Sequence, residues 1–225
     1  MRAVDQATET LRRRLLGGAW AVGERLPAER RLCEELGVSR LTLRAALARL
    51  EGEGLVRPRR GDGVRVLDPA LHGGVELLPH LVAAGQMELL GPFLQLRRAV
   101  AAEAVAAACV RVTASELDTL QALADELAAA RGEALMEGNL QFARQVVQLA
   151  DNLPMLLLFN TVAAVVRARP EILAATLADE RGVQASFGAV VALLRAGDAD
   201  QARTVVRTVL EQLDAAALAR LEEEP

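Results

Sequence analysis

Between Val4 and Val66 three helical periodicities follow one another with only short breaks and then give way to alternation, and few folds accept that order. The first run places Val4, Ala7, Leu11 and Leu15 on one face and ends at Gly17 and Gly18. A second helix follows Pro27, with Leu32, Cys33 and Leu36 as its apolar side, and stops at Gly37. Ser39 is placed to cap a third helix that runs to about Glu53, with Leu43, Leu47 and Leu50 facing inward. Next, "GLVRPRRGDGVRVL" reads as strand, turn and strand: Leu55 and Val56, the turn formers Gly61, Asp62 and Gly63, then Val64 and Val66 alternating with Arg65. Helix, glycine turn, helix and basic hairpin together make a winged helix-turn-helix.

Charge supports two regions with different work. Residues 1–68 hold 14 Arg against 10 acids, a balance of +4, and residues 69–225 hold 12 against 20, a balance of −8; together they give the chain's −4. Every basic residue is arginine, so arginine count alone carries little weight, and the asymmetry matters more. A basic first part meets a polyanion, whereas the acidic remainder does not. After "DPALHGG", Asp68 to Gly74, the pattern is helical throughout, near 75–84, 87–110, 114–130, 133–150, 153–168, 170–178, 179–196 and 198–221.

The expected fold is therefore mainly α: an N-terminal winged helix-turn-helix with a small β-hairpin wing, and a C-terminal all-α helical bundle. The divisions are 1–68 for the DNA-binding domain, 69–74 for a linker and 75–225 for the helical domain. No apolar run approaches the ~20 residues of a membrane span, and the start lacks a secretory pattern, so the expectation is a cytoplasmic protein without membrane contact. Cys33 and Cys109 sit singly inside helical patterns and read as small packing residues.

A helix lying in the major groove needs polar side chains on its first turn and an apolar back. Arg40 and Arg44 stand at i and i+4, and either guanidinium can donate two hydrogen bonds to guanine O6 and N7. Ser39 and Thr42 suit phosphate or base contacts, and Leu41 suits a thymine methyl. Arg30 in the preceding helix and Arg59 and Arg60 in the wing are placed to grip the backbone or the adjacent minor groove of double-stranded DNA.

Residues 23–66, "GERLPAERRLCEELGVSRLTLRAALARLEGEGLVRPRRGDGVRV", resemble the winged-helix signature of the GntR family of bacterial transcription regulators. The resemblance implies DNA contacts at Arg30, Ser39, Arg40, Thr42, Arg44 and the wing tip at Arg60 and Gly61, and a homodimer acting on a near-palindromic operator. Three segments, "LQLRRAVAAEAVAAA", "NLQFARQVVQLADN" and "LLRAGDADQARTVV", resemble the helical effector and dimerisation domain of the FadR subfamily. Many relatives place an Asp and three His there and bind a divalent metal that holds a small carboxylate. The matching positions here are Asn139, Ala143, Phe187 and Val209, which cannot replace imidazole ligands, so no metal or other cofactor is expected.

The metal-free type of that subfamily senses long-chain fatty acyl-coenzyme A. Likeness to it implies an apolar acyl effector, fatty acyl-CoA or fatty acid, with Arg97 and Arg207 near the head group and Phe142, Phe159 and Phe187 along the chain. A regulator of the same fold sensing a small carboxylate, and a nonspecific architectural DNA binder, are the alternatives. No Ser-His-Asp set, phosphate loop or metal cluster points to an enzyme. Asn152, in "ADNLP", reads as a helix cap.

Overall fold

The computed structural model describes residues 2–223 and divides into two compact units, meeting in sequence at Gln86 and Met87. The first contains α1 (Ala3–Leu16), α2 (Glu29–Leu36), α3 (Arg40–Gly52), the antiparallel strands β1 (Val56–Arg59) and β2 (Gly63–Val66), α4 (Pro69–His72), a 3-10 turn at Val75–Leu77 and α5 (Leu78–Ala83). Leu11 and Leu15 of α1, Leu32 of α2 and Leu43, Ala46, Leu47 and Leu50 of α3 close over one core with Leu55, Val56 and Val66 from the hairpin. Each such leucine contributes roughly 1.5–3 kcal/mol by leaving water. Gly37 ends α2 in the left-handed conformation at φ 64°, which reverses the chain into α3 without a Cβ penalty.

The hairpin pairs Val56 with Val66 and Arg59 with Gly63. It also has a third member that alternation does not reveal. Gly23 N–H donates to Val66 O at 2.9 Å, Val66 N–H to Glu24 O at 2.9 Å and Leu26 N–H to Val64 O at 2.8 Å, setting Arg25 opposite Arg65. The segment that leads into α2 is therefore clamped to the wing. Gly63, at φ 82°, completes this corner, because a Cβ there would lie 2.7 Å from Arg25 Nε.

Within the stretch read as a linker, Pro69–His72 form a short helix. Asp68 caps α4, accepting from Ala70 N–H at 2.9 Å with Pro69 in the first turn, a combination that starts a helix as readily as it breaks one. Leu77, 2% exposed, belongs to the first core, and Gln86 Nε2 donates to Leu16 O at 3.0 Å. Residues 75–86 thus pack with the first unit, and the division falls later than 69–74.

The second unit is wholly helical among its described residues: a 3-10 turn at Met87–Leu89, then α6 (Leu90–Cys109), α7 (Ala114–Leu127), α8 (Gly132–Leu149), α9 (Leu153–Ala168), α10 (Pro170–Thr176), α11 (Glu180–Ala196) and α12 (Ala199–Glu223). Thr113 and Glu116 form a capping box for α7, and Asn152 caps α9 by accepting from Met155 N–H at 3.1 Å. Gly197, at φ 72°, turns α11 into α12. Antiparallel packing of α12 on α6 follows from their ion pairs, Arg97 with Asp214 at one end and Glu103 with Arg203 at the other. No helix among the described residues is long and apolar enough to cross a membrane.

Candidate nucleic-acid interface and effector cavity

Burying Leu43, Ala46, Leu47 and Leu50 leaves the opposite side of α3 in solvent, and that side carries Arg40, Leu41 and Arg44. Leu41 is 81% exposed, as a methyl-reading contact requires. Ser39 caps the helix: its hydroxyl accepts from Thr42 N–H at 3.1 Å and lies 2.9 Å from the Thr42 hydroxyl. Ser39 and Thr42 are thus coupled to each other first, with Thr42 half-buried, and present their remaining hydrogen-bonding capacity beside Arg40.

Arg44 is not free in solvent. Its Nε donates to both carboxylate oxygens of Glu29, at 3.0 and 3.2 Å, from the first turn of α2. Sequence reading missed Glu29 because fifteen residues and a turn separate the partners. The pair fixes where the guanidinium starts while leaving the side chain 68% exposed. Arg30 pairs with Glu34 at 3.0 Å along its own helix, on the exposed side of α2. The side chains of Arg40 and Arg60 make no hydrogen bond or ion pair among the described residues, and both are exposed.

In the wing, Arg59, Arg60 and Gly61 are exposed at the tip. Asp62 N–H donates to Arg59 O at 3.0 Å and closes the turn. The Arg65 guanidinium, 2.6 Å from Asp62, holds that carboxyl below the usual carboxylate range, and the charges of Arg25 and Arg59 act in the same direction. The tip's one acid is neutralised from within, which leaves Arg59 and Arg60 as its outward charge. Arg30, Arg40, Arg44, Arg59 and Arg60 are therefore all exposed within the first unit.

The second unit contains a cavity of about 190 Å³ bounded by α6, α8, α9, α10, α11 and α12. Phe142, Phe159 and Phe187 all line it, with the Phe142 and Phe187 rings 4.9 Å apart and tilted by 53°. Arg144 covers Phe159 at 5.3 Å. Among the polar lining residues, Ser186 and Thr176 give their hydroxyl protons to helix carbonyls, at Val183 and Ile172. Asn139 and Arg97 complete the polar lining, and the walls are otherwise Leu, Val and Ala.

Arg97 reaches this cavity, and Arg207 does not. Arg207 is 57% exposed on the outside of α12, 3.9 Å from Glu103, while Val206, Leu210 and Leu213 of the same helix face in. The helical phase of α12 is the reason: position 207 sits at the edge of the α6–α12 contact, beside Glu103, outside the face through which Val206, Leu210 and Leu213 line the cavity. Val209 likewise lies at the surface, 39% exposed, whereas Asn139, Ala143 and Phe187 do line the cavity. An amide, a methyl and a phenyl ring there do not fit a divalent metal.

The residue missed at this site is Asp214. Only 2% of its side chain is exposed; it accepts from Arg97 and, at 3.1 Å, from Arg98. Burial pushes its carboxyl up, opposed by the two guanidinium groups. Arg97 is itself mostly buried, which lowers its proton affinity against the pull of Asp214, and its Nε has no hydrogen-bond partner among the described residues. No spacing rule joins residues 117 positions apart.

Comparison with known proteins separates the same two parts. Residues 3–66 match the model for bacterial regulatory proteins of the gntR family, and residues 93–212 match the FCD domain. The HTH-type transcriptional regulator Mce2R of Mycobacterium tuberculosis is 46% identical over 78 residues, 35% of this chain and 32% of that protein, so the chain spans only a third of that relative's length. An uncharacterised HTH-type transcriptional regulator of the same species, Rv0494, is 30% identical over 214 residues, 93% of this chain and 87% of its own. The solved structure of Lar, described as controlling expression of the Listeria monocytogenes agr system, matches with a TM-score of 0.64 at 17% identity, covering 97% of this chain and 98% of Lar, a likeness of fold.

Proposed function

Because the chain belongs to the gntR family of bacterial regulatory proteins and carries an FCD domain, we infer that it is a sequence-specific DNA-binding transcription regulator controlled by a small apolar ligand. The exposed face of α3 carries this reading. A helix held from behind by four buried apolar residues presents Arg40, Leu41 and Arg44 together, and Arg44 is pre-set by Glu29. Arg40 and Arg44 read guanine edges, Leu41 a thymine methyl, and Ser39 and Thr42 flank them; Arg30, Arg59, Arg60 and the Gly61 backbone hold phosphates or the minor groove.

A single reading helix covers too few base pairs for specificity, so two copies act as a homodimer on a near-palindromic operator in the bacterial cytoplasm. The helical unit, of FadR type in this reading, takes an acyl ligand along Phe142, Phe159 and Phe187 with its polar end toward Arg97. The ligand releases DNA to the extent that it favours the arrangement in which the two reading helices no longer match their half-sites.

Selection from a pool of random duplexes tests the first half. The purified protein is expected to enrich an inverted repeat; uniform recovery with wholly salt-controlled affinity would leave an architectural binder instead. Thermal-shift screening of acyl ligands and small carboxylates, with and without divalent metal, tests the second half. Stabilisation by a small carboxylate only in the presence of metal contradicts the apolar-ligand reading.

A further inference from the structure

The cavity has one chemically distinct end. On α6 its lining runs from Arg97 through Val100, Ala101 and Ala104 to Val105, and on the antiparallel α12 from Leu213 to Val206. Along the helix those eight steps span roughly 12 Å. Charge is confined to the Arg97 end, where Arg97, Arg98 and Asp214 meet. Two guanidinium groups against one carboxylate leave a net charge of about +1 there. Asp214 occupies a terminal nitrogen on each arginine, and the Nε–H of Arg97, a residue that lines the cavity, is buried and unmatched among the described residues. A buried donor without a partner is costly, and an incoming acceptor recovers that cost.

Resting on the effector-cavity reading above, we propose that Asp214 sets the charge class of the ligand: the site takes a monoanionic acyl carboxylate, the free acid, and disfavours the multiply charged thioester of the same acid. One carboxylate accepting from Arg97 Nε–H brings the cluster to neutrality. A head group with several phosphates overshoots that balance in a low-dielectric setting, where uncompensated charge is expensive. A neutral head group, such as an alcohol, satisfies the donor more weakly because it lacks the ionic component. Asp214 therefore acts through Arg97 as a positioning and specificity residue.

Isothermal titration of the full chain with decanoate, decanol and decanoyl-coenzyme A decides the matter. Decanoate is expected to bind about tenfold more tightly than decanol, the difference between a charged and a neutral hydrogen-bond acceptor, and more tightly than the thioester. Asp214→Asn, which keeps an acceptor and removes the charge, is expected to narrow the gap between decanoate and thioester. Arg97→Gln removes both the charge and the Nε donor, leaving Arg98 against Asp214 with no net charge, and is expected to abolish the preference for decanoate over decanol. Equal binding of decanol and decanoate, or tighter binding of the thioester, overturns the proposal while leaving an apolar effector cavity in place. Failure of all three to bind removes the cavity reading and this inference with it. Should either variant fail to fold, the ranking on the unaltered protein still decides.

Discussion

Arg44 and Arg97 carry the same side chain into opposite surroundings. On α3 the guanidinium of Arg44 is 68% exposed and lightly tethered by Glu29, so an incoming anion can compete for it with little reorganisation. Between α6 and α12 the guanidinium of Arg97 is 17% exposed and bound to a carboxylate that has almost no contact with water. Under the proposed function, exposed arginines in number suit a ligand that is a long array of charges. A buried arginine, mostly neutralised by its own chain, suits the singly charged ligand proposed above. The difference shows that solvent, more than residue type, assigns each arginine its task.

The comparison breaks first at Asp214. Asp214→Ala leaves Arg97 and Arg98 without their buried partner and is expected to cost about 3–5 kcal/mol of stability, seen as a lowered unfolding midpoint. A loss under 1 kcal/mol places the pair in effective contact with solvent. Arg44→Ala is expected to keep the fold and to weaken operator binding by about 1–3 kcal/mol at one base position, measured by mobility shift against operator and scrambled duplexes. Retained discrimination there assigns the reading to other side chains.

Ser39→Ala removes the cap of α3 and is expected to cost about 1 kcal/mol of stability. Ser39→Asp restores the cap and places a negative charge where phosphate approaches, so stability recovers while DNA affinity does not. Recovery of both sets Ser39 apart from the DNA contact surface.

The smallest effect concerns His80, half-buried on α5. Burial, with the charge of Arg12, lowers its pKa in the folded protein. Its neutral form is favoured on folding, so the associated stability is present above the unfolded value, roughly 6.5, and is lost as pH falls through the folded value. His80→Gln is expected to flatten unfolding midpoints across that window, and an unchanged slope assigns the pH dependence to other groups.

Periodicity made the helices legible because each has its own apolar face. Residues 153–168 carry Phe159, Val162, Ala163, Val165 and Val166 inward, and the expected and observed limits of α9 coincide. The clamp at Gly23–Leu26 was not legible, since its three backbone hydrogen bonds need no alternating side chains. The junction was misread for a related reason: Asp68-Pro69 and the paired glycines after it look like a break, but tertiary packing of Leu77 decides where they belong. At the interface, Arg40, Leu41 and Arg44 could be read from one helical turn. Glu29 and Asp214 could not, because what they do depends on which residue lies across from them in space. Arg207 failed for the opposite reason, being placed by likeness and then displaced by the phase of α12.

The clamp between residues 23–26 and β2 has a consequence for how the protein can change over generations. The hairpin is held at its base, through Gly23, Glu24 and Leu26 against Val64 and Val66, in addition to the turn that Asp62 N–H closes on Arg59 O at its free end. The exposed side chains of Arg59 and Arg60 at the tip are thereby spared a packing role, so under the proposed function substitutions at those two positions alter the preferred DNA partner at little structural expense. A lineage can retune its wing as an exchangeable cassette while α3 and the core stay as they are.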